Sequence, residues 1–167
     1  EQKVELSSLV RDTVICGSVV RIRKGFRGNL QIFASDSVIV EEGAMLEYPS
    51  GIYVDSGERR PYVSLEKCSS VSGYVIVTSE NSDSQLRYPS YVQKSGATIN
   101  GLLYVDGSCN IEGDIIGAAY VKDCYYYSNG NVYAGTLYDA RVVRSDSLAF
   151  PIFLKGPYER KMIKKLH

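Results

Sequence analysis

The sequence predicts an all-β fold, a single-stranded parallel β-helix (β-solenoid) closed by a C-terminal cap, and three observations carry that prediction. First, a short phrase recurs: I-N-G-L-L-Y-V at 99–105, I-I-G-A-A-Y-V at 115–121 and Y-A-G-T-L-Y-D at 133–139, with an earlier V-S-G-Y-V-I-V at 71–77. Second, Gly73, Gly101, Gly117 and Gly135 hold the same place in each copy, the last three 16 and then 18 residues apart. A strand-like phrase at about this period marks stacked coils. Third, fifteen Gly, fourteen Tyr and no Trp, with many Val and Ser, fit strands joined by tight turns and leave little helical patterning. Parallel crossovers default to a right-handed winding, so the expected solenoid is right-handed.

The 167 residues suit one domain with a real core. We read 1–12 as an entry strand or N-terminal cap, 13–147 as coils and 148–167 as a C-terminal cap. From Thr13 the strand signal is strong, through Val14, Ile15, Val19, Val20 and Ile22. A basic, Gly-rich stretch, RIRKGFRG, follows at 21–28, then the strand-like runs LQIF (30–33) and VIV (38–40). L-E-Y-P-S at 46–50 returns as L-R-Y-P-S at 86–90, a second and longer echo. Each Pro holds the preceding Tyr48 or Tyr88 extended and belongs at a corner, because it cannot donate in a central ladder. Two polar stretches, 55–61 and 78–85, read as solvent-facing loops inserted into the rhythm. After Asp139 the pattern fades into LAFPIFL (148–154), and Gly156-Pro157 opens YERKMIKKLH. Pro at a first helical position, with Met162, Ile163 and Leu166 at helical spacing, predicts a short terminal helix. A final coil needs such a cap, since its interior and strand edge are otherwise bare.

Alternation along the strands sorts the repeat into two faces. Ile99, Leu103, Val105, Ile115, Ala119, Val121, Tyr133, Leu137, Val71, Val75 and Val77 fall on one, with the glycines, and we place this aliphatic set inside. Tyr104, Tyr120 and Tyr138 then form an outward ladder, with Ile76 as its next rung. Two readings of that ladder stand: mutual packing, or a binding surface, since Tyr is enriched at interfaces. Arg21, Arg23, Lys24 and Arg27 likewise have two readings, a grip for phosphate or an acidic glycan and a solvated strand edge. Cys109 and Cys124 sit eight and seven residues after Gly101 and Gly117. One residue of slack stacks them on adjacent coils within disulfide range, against the competing reading of buried free thiols.

Acidic and basic residues balance at 19 each, so no net field draws the chain to nucleic acid or an anionic membrane. The only His is His167, which leaves a Ser-His-Asp or Cys-His arrangement without a base and a histidine zinc site without ligands. Asp106, Asp114 and Asp123 lie in turn contexts, where carboxylates ordinarily form turns; stacked coils bring them together as a glycosidase pair only in a competing reading. We therefore expect no catalytic residues, no metal and no cofactor.

The spacing of Gly, β-branched residue and Tyr in GLLYVDGSCNIEGDIIGAAYV, over roughly residues 70–140, resembles bactofilins and related polymer-forming β-helix proteins of bacteria. The order GNLQIF, LEYPSGIYV, repeat, apolar segment and basic tail also looks like uncharacterised bacterial extracytoplasmic proteins. The chain departs from bactofilins in its loops at 55–61 and 78–85 and in its apolar, basic ending, which puts open-ended polymerisation in doubt. Pectate lyases and polygalacturonases share the β-helix but carry clustered Asp, Arg and Lys on one side, a pattern not visible here. Hexapeptide acyltransferases need a strict six-residue period and a catalytic His, which this chain lacks. The resemblance implies a non-catalytic structural or scaffolding protein of the bacterial cell envelope, extracytoplasmic, with any membrane anchor upstream of Glu1. Its expected partners are a second copy or another protein, with a glycan-binding or glycan-cleaving role as the alternative.

Overall fold

The computed structural model describes residues 3–6, 11–79 and 88–145. The expected cap at 148–154, the terminal helix, His167, positions 80–85 of the second loop, and Leu86 and Arg87 of the second echo lie outside the described residues. The chain forms β1 (Lys3–Leu6), β2 (Thr13–Ile22), β3 (Arg27–Gly28), β4 (Leu30–Val40), β5 (Met45–Asp55) and β6 (Tyr62–Leu65). It continues as β7 (Ser70–Thr78), β8 (Tyr91–Gln93), β9 (Thr98–Ile111), β10 (Asp114–Ser128), β11 (Asn131–Ala134) and β12 (Arg141–Val143). No helix occurs among the described residues, and so none there is long and apolar enough to cross a membrane.

Strands β4, β6, β8, β9, β7 and β5 follow one another around the sheet, and β5 pairs back onto β4. The fold is a closed six-stranded parallel β-barrel with the other strands outside it, which corrects the expected single-stranded solenoid. The cause lies in two long strands. β4 gives residues 31–34 to β5 and 37–40 to β6. β9 gives 98–105 to β7 and 109–111 to β8. A strand that serves two neighbours in succession closes a ring. A phrase repeated along the sequence specifies which residues lie side by side, not how the sheet closes.

Side by side is where the repeat is informative. Gly73, Gly101 and Gly117 lie in one register, as do Val75, Leu103 and Ala119. The inward rows extend well beyond the repeat. Ile15, Ile32, Ile52, Val75 and Leu103 form one continuous buried row, and Val20, Val38, Val63, Tyr91 and Cys109 form another. Each such aliphatic side chain contributes about 1.5–3 kcal/mol by leaving water. The third copy of the phrase departs from the pattern. β11 turns back and pairs antiparallel with β10, Tyr126 facing Tyr133, so Tyr133 and Leu137 are exposed instead of inward.

On one side of the barrel four turns stack. The N–H groups of Phe26, Ala44, Ser69 and Ala97 donate to the carbonyls of Arg23, Glu41, Glu66 and Lys94 at 3.0–3.1 Å. The third residue of each turn, Gly25, Gly43, Cys68 or Gly96, has positive φ, as a type II turn requires. Successive turns are joined by further backbone bonds, such as Glu41 N–H to Ile22 O at 2.9 Å and Glu66 N–H to Val40 O at 2.9 Å.

Candidate functional site

Among the described residues, the outward face of the wall formed by β2, β4, β5, β7, β9 and β10 carries an extended apolar feature that core packing does not explain. Register places Cys16 beside Phe33, Phe33 beside Tyr53, Tyr53 beside Ile76, Ile76 beside Tyr104, and Tyr104 beside Tyr120. This is a six-rung ladder, about 24 Å long at the usual strand spacing. Its ends are exposed, Cys16 and Phe33 (38%) at one and Tyr104 (41%) and Tyr120 (63%) at the other, while Tyr53 and Ile76 between them are half-buried. The Phe33 and Tyr53 ring centroids are 6.1 Å apart, tilted by 52°, a favourable aromatic geometry. Shallow hollows mark both ends, one by Cys16, Phe33 and Tyr53, the other by Tyr104 and Tyr120.

The neighbouring outward row runs Val14, Gln31, Gly51, Tyr74, Leu102, Ala118. Here Tyr74 is almost fully buried although it points outward. Its ring lies over Gly51, where a Cβ would stand 2.0 Å from the Tyr74 Cζ, so only glycine fits. Its hydroxyl donates to Gln31 Oε1 at 2.6 Å, and Gln31 Nε2 donates to Pro49 O at 3.0 Å. Burial raises the Tyr74 phenol above its ordinary value. The L-E-Y-P-S corner thus anchors this row, leaving Val14 at one end and Leu102 and Ala118 at the other to widen the apolar strip. Polar groups border it: Tyr53 donates to Asp55 at 3.3 Å, and Lys122 pairs with Asp106 at 3.9 Å.

Of the three tyrosines expected on one ladder, Tyr104 and Tyr120 are adjacent rungs and Ile76 is the next, as the repeat required. Tyr138 is elsewhere. It stacks on Tyr126 with centroids 4.4 Å apart and an interplanar angle of 22°, and Tyr133 lies on the same Tyr126 at 6.1 Å. The cause is the β10–β11 hairpin, which takes the third phrase out of the parallel register. Sequence reasoning missed Phe33 and Tyr53. Their signal was available in the outward places of GNLQIF and GIYV, but no repeated phrase aligned them with Tyr104.

The four basic residues do not form an open anion site. Arg21 and Arg23 both reach Glu41 at 3.0 Å, and Arg23 also reaches Glu5 at 2.7 Å. Lys24 pairs with Glu42 at 3.1 Å, and Arg27 lies 3.7 Å from Glu47. The Lys24 N–H, then Arg21, then Arg23 hold the Glu41 carboxyl below its ordinary value. Carboxylates at 41, 42, 47 and 5 therefore answer the basic run from neighbouring strands and turns. They were invisible in sequence because each is about 18–20 residues away from its partner. The three carboxylates expected in turns lie in strands instead, Asp106 in β9 and Asp114 and Asp123 in β10, and two are ion-paired, Asp106 with Lys122 and Asp114 with Arg141 at 3.2 Å. Among the described residues no three His, Cys, Asp or Glu side chains converge as a metal-holding group. No family model, curated protein or solved structure matches the chain.

Proposed function

We propose that the chain is a non-catalytic scaffold whose outer apolar wall is an association surface for a second copy of itself. The observation that carries the reading is the ladder from Cys16 to Tyr120, whose middle falls between Tyr53 and Ile76. A two-fold axis there sets the small Cys16 against Tyr120, Phe33 against Tyr104, and Tyr53 against Ile76. That is the self-complementarity an isologous interface needs. A chain with 19 acidic and 19 basic residues carries no net charge to oppose such pairing. The strip is narrow beside the roughly 800 Å² per partner of a stable interface, so the association is weak and concentration-dependent. The extracytoplasmic, cell-envelope setting expected from the sequence belongs to the same proposal.

Sedimentation velocity across a concentration series tests it. The wild type shifts toward dimer in the micromolar-to-millimolar range, and the Tyr104→Ser/Tyr120→Ser double variant stays monomeric with an unchanged unfolding midpoint. A wild type that is monomeric throughout sinks the proposal, as does a double variant that is merely unstable. Saccharide binding that disappears with the two tyrosines would replace it by the glycan reading.

A further inference from the structure

We propose that Cys109 and Cys124 are a redox-active dithiol, which small-molecule disulfides convert reversibly into a bond tying β9 to β10. The two residues are direct partners in the parallel pairing of those strands. Neighbouring strands put their Cα atoms about 4.8 Å apart, inside the separation of roughly 4.4–6.8 Å that a disulfide spans. Both are reduced in the structure. They end the inward row that begins at Val20, so their side chains point the same way.

The pair is asymmetric in a way that assigns roles. Cys109 is fully buried behind Tyr91, whereas Cys124 is only partly covered. The neighbouring Cys109 thiol lowers the Cys124 thiol below its ordinary value; Cys124 in turn, and then burial, push Cys109 up. Cys124 is therefore the attacking sulfur and Cys109 the resolving one. The Cys124 thiolate attacks one sulfur of a low-molecular-weight disulfide, expels one small thiolate and forms a mixed disulfide. Cys109 then gives up its proton, its sulfur attacks the Cys124 sulfur, and the second small thiolate leaves. Two protein thiols are oxidised and one small disulfide is reduced to two thiols.

The cover over Cys124 links this chemistry to structure. Cys124 Sγ donates to Thr136 O at 3.7 Å, and the Gly135 N–H donates to Cys124 O at 2.7 Å. A disulfide sulfur has no hydrogen to donate, so oxidation removes one of the ties that hold the segment after β11.

The test uses the full chain carrying Cys16→Ser and Cys68→Ser, which removes the two exposed thiols, treated with oxidised glutathione. The expected product has lost both alkylatable thiols, carries no glutathione, yields a cross-linked peptide containing 109 and 124, and reverts with dithiothreitol. Amide exchange at Gly135 then accelerates about tenfold. Adding Cys109→Ser arrests the reaction at one glutathione on Cys124. Retention of both thiols, or a persistent glutathione adduct with Cys109 present, overturns the proposal. Unchanged exchange at Gly135 overturns the link to the β11 segment.

Discussion

Gly117 and Gly135 occupy the same place in two copies of one phrase, and their surroundings differ completely. At Gly117 φ is +151°, and an added Cβ would stand 1.9 Å from the Gly101 carbonyl oxygen. At Gly135 φ is +65°, and nothing lies within 4 Å of that position. The first glycine lets two parallel strands approach; the second only lets the chain turn. What distinguishes them is the neighbour. β10 lies on β9 in register through Val121, whereas the third copy meets the returning hairpin instead. The same residues acquire a structural meaning only where an equivalent row is available to receive them.

The sharpest way to break this comparison is to add one methyl group at each position. Gly117→Ala places a Cβ against backbone that cannot move aside, and we expect a loss above about 4 kcal/mol or failure to fold. Gly135→Ala meets only the left-handed backbone cost, about 1–2 kcal/mol. Urea midpoints of the two variants should differ accordingly, and equal losses would show that the third copy is packed after all. A smaller effect separates the tyrosines of the two regions. Tyr138→Ala removes the stacking on Tyr126, worth about 1 kcal/mol. It should raise amide exchange within β11 while leaving the barrel strands protected; a loss spread over the barrel would join the two regions into one cooperative unit.

The smallest expected effect is electrostatic and confined to the stacked turns. Glu41 is held below its ordinary value of 4.5, so its contribution is fully present above that pH and fades as pH falls through the lowered value of the folded state. Its partners are partly solvated, which limits the contribution to less than about 1 kcal/mol. Glu41→Gln should flatten the acid limb of the stability curve and change little at pH 7 beyond that amount. An unaltered acid limb would assign the turn stack to its backbone bonds alone.

The repeat made the side-by-side register of β7, β9 and β10 legible, down to the inward aliphatic set and the adjacency of Tyr104 and Tyr120. It did not reveal ring closure, because that depends on where β4 and β9 change partners, and no local pattern records it. The misplaced third phrase did have a warning. Asn129-Gly130 is the favoured two-residue pair of a type I′ hairpin, and both residues take positive φ, 50° and 78°, with Ser128 facing Asn131. A two-residue turn signal outweighed a seven-residue echo, because the turn acts locally while the echo needs a partner. Tyr74 shows the opposite difficulty. Alternation placed it outward correctly, but its burial depends on Gly51 and on a corner 24 residues upstream that folds across the wall.

Closure of the ring also settles what kind of recognition its strands can perform. Both edges of β5, β6, β7 and β8 are paired within the sheet, as are those of β4 and β9 with their additional neighbours β2 and β10. Their main-chain valency is saturated. An incoming chain cannot extend the sheet at any of these strands, so whatever they recognise must be read by side chains standing off the wall. Under the proposed self-association, specificity is then a matter of surface relief along the ladder from Cys16 to Tyr120, and not of strand grammar.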